Sequence, residues 1–424
     1  MMQIESLSVA FIYFAVIFEN SFVINCQVCF HINVFNIDNY LIMKKHHKIA
    51  IAGAGGIGRA VALILAELSE VAPDIYLGDI YTDTAEDAAE WALDGVTKPC
   101  AIHAFTMAKE GINDEMRSVF NDCEILLDCL PGSQAPRMAA FAKEFGMHYA
   151  NLTEYVNETN QVIEIAKDAS TGFVLQTGLA PGFVNIVANA LYMEFSETFE
   201  VEKVEYIGMK VGALTQNASA PHFYGFTWSP IGVATEYVKD AIAIRDYNKT
   251  NVPALSAQEL IIIDGDTFEV DLTSGGAADL PDAFAGIARN MDYKTIRYPG
   301  HYDWVKGILA KNADKNSDAQ IDALQKEMMD NIPHLEDDLV VIHVNVIGKD
   351  SRGTLRAIEK TYFIGNQEVG NQTLRAIQTT TAAPMCECAR MLLEGGYSGP
   401  VFQSQLDPFA FMEGIYVKEI YGEY

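Results

Sequence analysis

His47-Lys48-Ile49-Ala50-Ile51-Ala52-Gly53-Ala54-Gly55-Gly56-Ile57-Gly58 is the stretch that decides the fold. Its first half alternates and then runs apolar, the pattern of a strand buried in a parallel sheet. Its second half is G-x-G-x-x-G. Ile57, Val61, Ile64, Leu65 and Leu68 then recur at helical spacing, so the glycines join a strand to a helix. Each glycine has a steric reason. Gly53 permits the tight turn, Gly55 lets the backbone approach a pyrophosphate, and Gly58 lets helix and strand pack closely. The helix N-terminus offers unpaired N–H groups and a positive dipole end to phosphates.

Working outward, residues 75–77 read as a second strand that ends at Asp79, about twenty residues past the glycines. An acid there binds a ribose 2′-hydroxyl. The plainer reading is an Asp that caps a helix starting near Thr84. Strand, glycines, helix, strand and acid in this order predict a dinucleotide site of Gly53, Ala54, Gly55, Gly56, Ile57, Gly58, Asp79 and Ile80. A carboxylate repels a 2′-phosphate, and no Arg follows through Asp83. NAD is therefore expected over NADP.

The alternation continues with strands over 101–107, 124–130, 148–152 and 173–176 and helices over 136–145 and 157–169. The fold class is α/β, a Rossmann doubly wound parallel sheet. Ligands in such sheets sit beyond the C-terminal strand ends. That places Cys129, Leu130, Pro131, Thr153, Glu154, Thr177 and Gly178 around a nicotinamide or substrate, with Cys129, Leu130, Pro131 and Gly178 on the cofactor. Cys129 reads as packing, since hydride transfer needs no nucleophile.

At 424 residues the chain is long enough for two domains. Its formal net charge of -28 argues against nucleic acid or anionic membrane as a partner, because phosphate binding needs clustered Lys and Arg. The seven cysteines are scattered and suit a reducing cytoplasm. Cys26 and Cys29 have metal spacing, but no second Cys/His cluster completes four ligands, so no metal is expected. Residues 1–42 contain no Lys, Arg, Gly or Pro. They are expected to be a spurious or disordered leader ahead of a start at Met43, with a membrane-associating extension as the alternative. The run 7–18 is too short to span a bilayer.

Three further stretches carry a resemblance. Gly178-Leu179-Ala180-Pro181-Gly182-Phe183-Val184-Asn185, Phe226-Thr227-Trp228-Ser229-Pro230-Ile231-Gly232 and Thr295-Ile296-Arg297-Tyr298-Pro299-Gly300-His301 resemble the saccharopine dehydrogenase-like family, from about Lys48 to the C-terminus. That family includes saccharopine reductases, lysine 6-dehydrogenases and carboxynorspermidine synthases. The resemblance implies an NAD(P)-dependent oxidoreductase acting on the C–N bond of an amino acid of saccharopine or lysine type. A polyamine-precursor dehydrogenase and a non-catalytic NAD-binding protein are the alternatives. Where the family pattern has an Arg after W-S-P, this chain has Ile231. That departure weighs against saccharopine, with its three carboxylates, and leaves smaller imine-forming amino acids open.

The organisation expected is a Rossmann domain over 43–180, an α+β substrate domain over 181–375, and a C-terminal return over 376–424 with a helix over 379–394. Strands are expected over 201–209, 259–263, 267–271 and 339–348. Oxidising a C–N bond needs a hydride acceptor, a base of suitable pKa and an oriented substrate. Arg297 is the candidate for a substrate carboxylate through bidentate pairing, and His301 for the acid/base. Tyr224, Trp228 and Ser229 are expected to line the substrate pocket. A structural ion pair for Arg297, and a packing role for His301 and the aromatics, are the plainer readings. A homodimer is expected.

Overall fold

The computed structural model describes residues 46–424, and this segment is one unit. The expected leader and Cys26 and Cys29 lie outside the described residues. Strands β1 (Lys48–Ala52), β2 (Asp74–Asp79), β3 (Ala101–Thr106), β4 (Ile125–Asp128), β5 (His148–Asn151) and β6 (Gly172–Val174) form a parallel sheet in the order β6-β5-β4-β1-β2-β3. The strand order reverses between β1 and β4, so the crevice beyond their C-terminal ends is where a Rossmann sheet takes its ligand.

A seventh strand, Gly399–Val401, joins this sheet beside β6, in parallel, from the far end of the chain. Before it, the helix Ala376–Glu394 packs on the helix Gly56–Leu68. The C-terminal return therefore brings a strand as well as a helix. Its strand is three residues long and centred on Pro400, too short to register as a periodic pattern.

The second lobe is an eight-stranded mixed sheet. In chain order its strands are β7 (Val204–Thr215), β8 (Ala241–Arg245), β9 (Asn248–Val252), β10 (Glu259–Ile263), β11 (Asp266–Leu272), β12 (Ala288–Arg297), β13 (Asp338–Lys349) and β14 (Leu355–Ile364). The main order is β10-β11-β12-β7-β13-β14, with β12 and β7 parallel and the other neighbours antiparallel. One face is covered by the helix Phe183–Phe199, whose buried Phe183, Ile186, Val187 and Leu191 meet Ile207, Met209, Val344 and Val346 in one apolar core with the Rossmann lobe.

Five of these strands depart from the reading of the sequence, and of these β8 and β9 form a short hairpin it did not name. β7 begins at Val204 rather than 201 and runs on to Thr215. β12 and β14 carry charged residues along their length, which hides their periodicity. The polar stretch 311–330 resolves into the helix Ser317–Asn331, capped by Asn316, whose side chain accepts from Ala319 N.

Candidate functional site

The glycine loop is built as its spacing requires. Gly53 has φ +100, and a side chain there would meet the Cys129 carbonyl at 3.0 Å and Leu130 Cδ2 at 3.2 Å. A Cβ on Gly58 would stand 1.8 Å from the Gly53 carbonyl oxygen, so only glycine lets helix and strand pack. A Cβ on Gly55 would meet nothing within 4 Å, and Gly55 and Gly56 are exposed at the mouth of the crevice. The helix Gly56–Leu68 has no side-chain cap and no acid in its first turn. Its first N–H groups are thus open to an anion, and the cradle fits a dinucleotide pyrophosphate. Asp79 accepts from Ala54 N and from Tyr81 N, both at 3.1 Å, which ties the acid at the end of β2 to the loop. Ile80 beside it is exposed.

Cys129 and Leu130 back the loop, and Pro131 leads into a single 3₁₀ turn. Asp128 sits at the end of β4, buried, with its carboxylate on Leu130 N at 3.0 Å and the Tyr149 hydroxyl at 2.7 Å. Burial pushes its pKa up to about 7, against the pull of those two hydrogen bonds.

Between the lobes lies a cavity of about 220 Å³. Ile57 and Gly178 reach it from the Rossmann side, Trp228 and Arg297 from the second lobe, and Glu154 and Glu236 are the acids in its lining. The first motif turns beside it. Gly182 has φ +135, and its Cβ would lie 2.1 Å from the Gly178 carbonyl oxygen. Asn185 accepts from Gly182 N at 2.7 Å and donates to the Gly276 carbonyl at 3.0 Å, pinning the turn to the second lobe.

The last motif places Arg297, which is 1% exposed and ends β12. Its Nε–H donates to the Tyr237 hydroxyl at 2.6 Å and one terminal nitrogen donates to the Ile296 carbonyl at 2.8 Å. Its guanidinium lies 4.7 Å from the centre of the Tyr224 ring, within cation–π range. Among the described residues no carboxylate lies within ion-pair distance of it, although Glu236 is near enough to act on it electrostatically.

His301 is fully buried and does not line the cavity. Its Nδ1 faces the His222 carbonyl at 2.6 Å, and a carbonyl can only accept, so Nδ1 carries the hydrogen. Its Nε2 then accepts from the Tyr237 hydroxyl at 3.0 Å. Burial and the neighbouring Arg297 hold its pKa down at about 3, so it stays neutral. Ser229 caps the helix Pro230–Val238, accepting from Gly232 N at 3.4 Å, and is absent from the cavity lining. Tyr224 lies behind Arg297, and its ring rather than its hydroxyl is what meets the guanidinium.

The sequence reading grouped Glu154 with the strand ends but gave it no role, and it missed Glu236. The available signal was position. Glu236 lies on a short helix whose Val233, Ala234 and Tyr237 are buried, an unusual place for an acid with no Lys or Arg one turn before it. Burial raises the pKa of both acids. Glu154 raises Glu236 further, and Arg297 opposes that rise.

Residues 49–174 match the saccharopine dehydrogenase NADP binding domain, and residues 178–414 match the saccharopine dehydrogenase C-terminal domain. The chain belongs to the saccharopine dehydrogenase family. It is an NAD(P)-binding oxidoreductase of that family, with the family's Rossmann and mixed-sheet lobes. Among solved structures it is similar to a saccharopine dehydrogenase (L-Glu forming) of Saccharomyces cerevisiae, with a TM-score of 0.69 at 14% identity over 89% of this chain and 98% of that one. It is also similar to a homospermidine synthase of Legionella pneumophila solved with NAD, with a TM-score of 0.60 at 13% identity over 89% and 90% of the two chains. At these identities the likeness is one of fold. Among the described residues no helix is long and apolar enough to cross a membrane, and no cluster of three or more His, Cys, Asp or Glu could hold a metal.

Proposed function

We propose that this protein oxidises the C–N bond of an amino acid of saccharopine or lysine type, with NAD as the acceptor. One observation supports this most. Arg297 is a buried cation that opens onto the cavity beside Gly178 and Ile57 and lacks a carboxylate of its own. A desolvated cation is costly unless paired, and a substrate carboxylate supplies the missing partner in the bidentate geometry that guanidinium favours. Bound on the glycine loop, the dinucleotide supplies the hydride acceptor. The chain's own part is to hold the carboxylate at Arg297, to exclude water with Trp228, Leu152 and Val211, and to hold the proton of the nitrogen.

NAD rather than NADP is favoured by Asp79, although the matching family model is named for NADP. The carboxylate is tied to the glycine loop at Ala54 N, and an acid in that position would repel a 2′-phosphate. A polyamine precursor that bears a carboxylate is the second reading, favoured by the two acids that share the cavity with Arg297. The same proposal has the protein in the reducing cytoplasm, in keeping with the free thiols of Cys100, Cys123, Cys129, Cys386 and Cys388. It also has it as a homodimer, in keeping with the exposed Leu260 and Ile262 on edge strand β10.

Arg297→Ala tests the assignment. An unpaired buried carboxylate costs on the order of 2–5 kcal/mol. The kcat/KM for saccharopine or lysine should therefore fall at least about a hundredfold, with NAD affinity near wild type. Arg297→Lys should recover part of the loss only, as a point charge replaces a fork. Unchanged activity in Arg297→Ala would make the residue structural.

A further inference from the structure

Glu154 and Glu236 come from different elements, a loop after β5 and the helix Pro230–Val238, and meet at the wall of the cavity that holds Arg297. Both also line a second cavity, of about 410 Å³, on the other side. Packing sets their positions. A Cβ on Gly232 would meet Glu154 Oε1 at 3.4 Å, one on Gly275 would meet Glu154 Cβ at 3.7 Å, and the Glu236 carbonyl holds Ser274 N at 3.1 Å. Neither carboxylate has a hydrogen bond or ion pair to another described residue, unlike Asp79 and Glu269, which accept from backbone N–H groups, or Asp128, which accepts from the Tyr149 hydroxyl. The two acids share the walls of both cavities, and Glu154 acts electrostatically on Glu236, so two negative charges there repel and one proton removes the repulsion.

We propose that Glu154 and Glu236 hold one proton between them and form the acid–base of the reaction, passing the substrate's proton from the first cavity to the second. The proposal rests on the C–N reading above. The substrate nitrogen arrives as an ammonium while Arg297 holds the carboxylate. The ammonium proton passes to the pair, the C–H bonding electrons leave with their hydrogen to the nicotinamide, and an iminium remains. Water adds to that carbon, the pair moves one proton from the water oxygen to the nitrogen, the C–N bond breaks, and the pair passes the second proton from the same oxygen to the departing nitrogen, to leave a carbonyl compound and an ammonium. One proton is released overall.

The second cavity gives that proton an exit while substrate and dinucleotide fill the first. Its lining is polar at Asn157, Gln176, Thr273 and Ser274. The charged and titratable groups around the pair are few enough to name. Arg297, Tyr224 and Tyr293 lie on the inner side, and Tyr155, Glu158, Lys239 and Asp240 lie around the outer cavity. Lys239 is already engaged with Asp318, so Arg297 is the cation that opposes the pair's uptake of a proton. His301 takes no part in the transfer: its two nitrogens are committed to Tyr237 and His222, which makes it a positioning residue for Arg297.

Infrared difference titration of the full chain tests the pair without any substrate. The carboxyl band of Glu236 is isolated by subtracting Glu236→Gln from wild type, and again by subtracting Glu154→Gln/Glu236→Gln from Glu154→Gln. The band should persist to higher pH in the first difference than in the second. Equal midpoints, or no band, would overturn the shared proton whatever the activity. With saccharopine as donor and NAD, each single Gln variant should lose at least about a hundredfold in kcat with NAD affinity unchanged, and Glu236→Asp should recover part of it. Gln variants with full activity would remove the pair from catalysis. A wild-type protein that oxidises no amino donor, yet shows the shifted midpoint, would overturn the C–N reading and the catalytic role and leave the shared proton standing.

Discussion

The Tyr237 hydroxyl accepts from Arg297 Nε–H at 2.6 Å, and this contact sets the direction in which the guanidinium faces the cavity. The hydroxyl has one hydrogen of its own, and it goes to His301 Nε2. His301 in turn donates from Nδ1 to the His222 carbonyl. The chain Arg297–Tyr237–His301–His222 is donor to acceptor throughout, and it stays consistent because His301 is neutral.

Tyr237→Phe breaks that chain at its middle. A hydrogen bond from a charged donor is worth about 1.5–3 kcal/mol, so kcat/KM for a carboxylate-bearing donor should fall by about tenfold or more. NAD affinity should not change. Steady-state kinetics beside calorimetric NAD titration checks this, and an equal loss in both would place the defect in the fold.

Two glycine substitutions should fail in different ways. Gly58→Ala puts a methyl 1.8 Å from the Gly53 carbonyl oxygen and should destabilise the protein by about 1–3 kcal/mol or more, seen as a lower denaturation midpoint. Gly55→Ala meets no atom of the chain within 4 Å, so the midpoint should hold while NAD affinity drops, because the methyl occupies the space of the pyrophosphate.

Asp79→Ala should narrow the preference for NAD over NADP and weaken NAD as well, since Asp79 also holds Ala54 N in the glycine loop. Calorimetric titration of both dinucleotides gives the two constants. Tighter NADP than NAD binding by the wild type would contradict the role given to the carboxylate.

Asp128 makes stability depend on pH. Its folded pKa is raised to about 7, above an unfolded value of about 3.9, so the folded form keeps a proton that the unfolded chain gives up. Its contribution is full below the unfolded value and is lost as pH rises through the folded one. Glu154, Glu236 and Glu387 are shifted the same way and add to the trend. Denaturant midpoints at about pH 5 should exceed those at about pH 8, and Asp128→Asn should flatten the difference.

What was legible follows from what is local. Gly53, Gly55 and Gly58 answer to contacts within a few residues and one neighbouring strand, so their spacing alone announced the loop. Strand β12 did not read as a strand, because Asp292 and Lys294 interrupt its apolar run. They are buried with ion-pair partners, Arg245 and Glu259, that lie on other strands. His301 stood out as the histidine of a recognisable motif, yet nothing nearby in sequence showed that Tyr237 and the His222 carbonyl would close around it. Glu236 was marked in sequence only as an acid among apolar helix neighbours, and nothing local showed that Glu154, from another element, would share its cavity.

The most direct test of the account is a donor screen. The full chain is mixed with NAD and, in turn, with saccharopine, lysine and carboxynorspermidine, and absorbance is followed at the band of reduced nicotinamide. The account predicts a rise with at least one of these amino acids and none with the matching amine that lacks its carboxylate, such as cadaverine in place of lysine. Flat traces with every amino acid while NAD binds, or an equal rate with the decarboxylated amine, would contradict it.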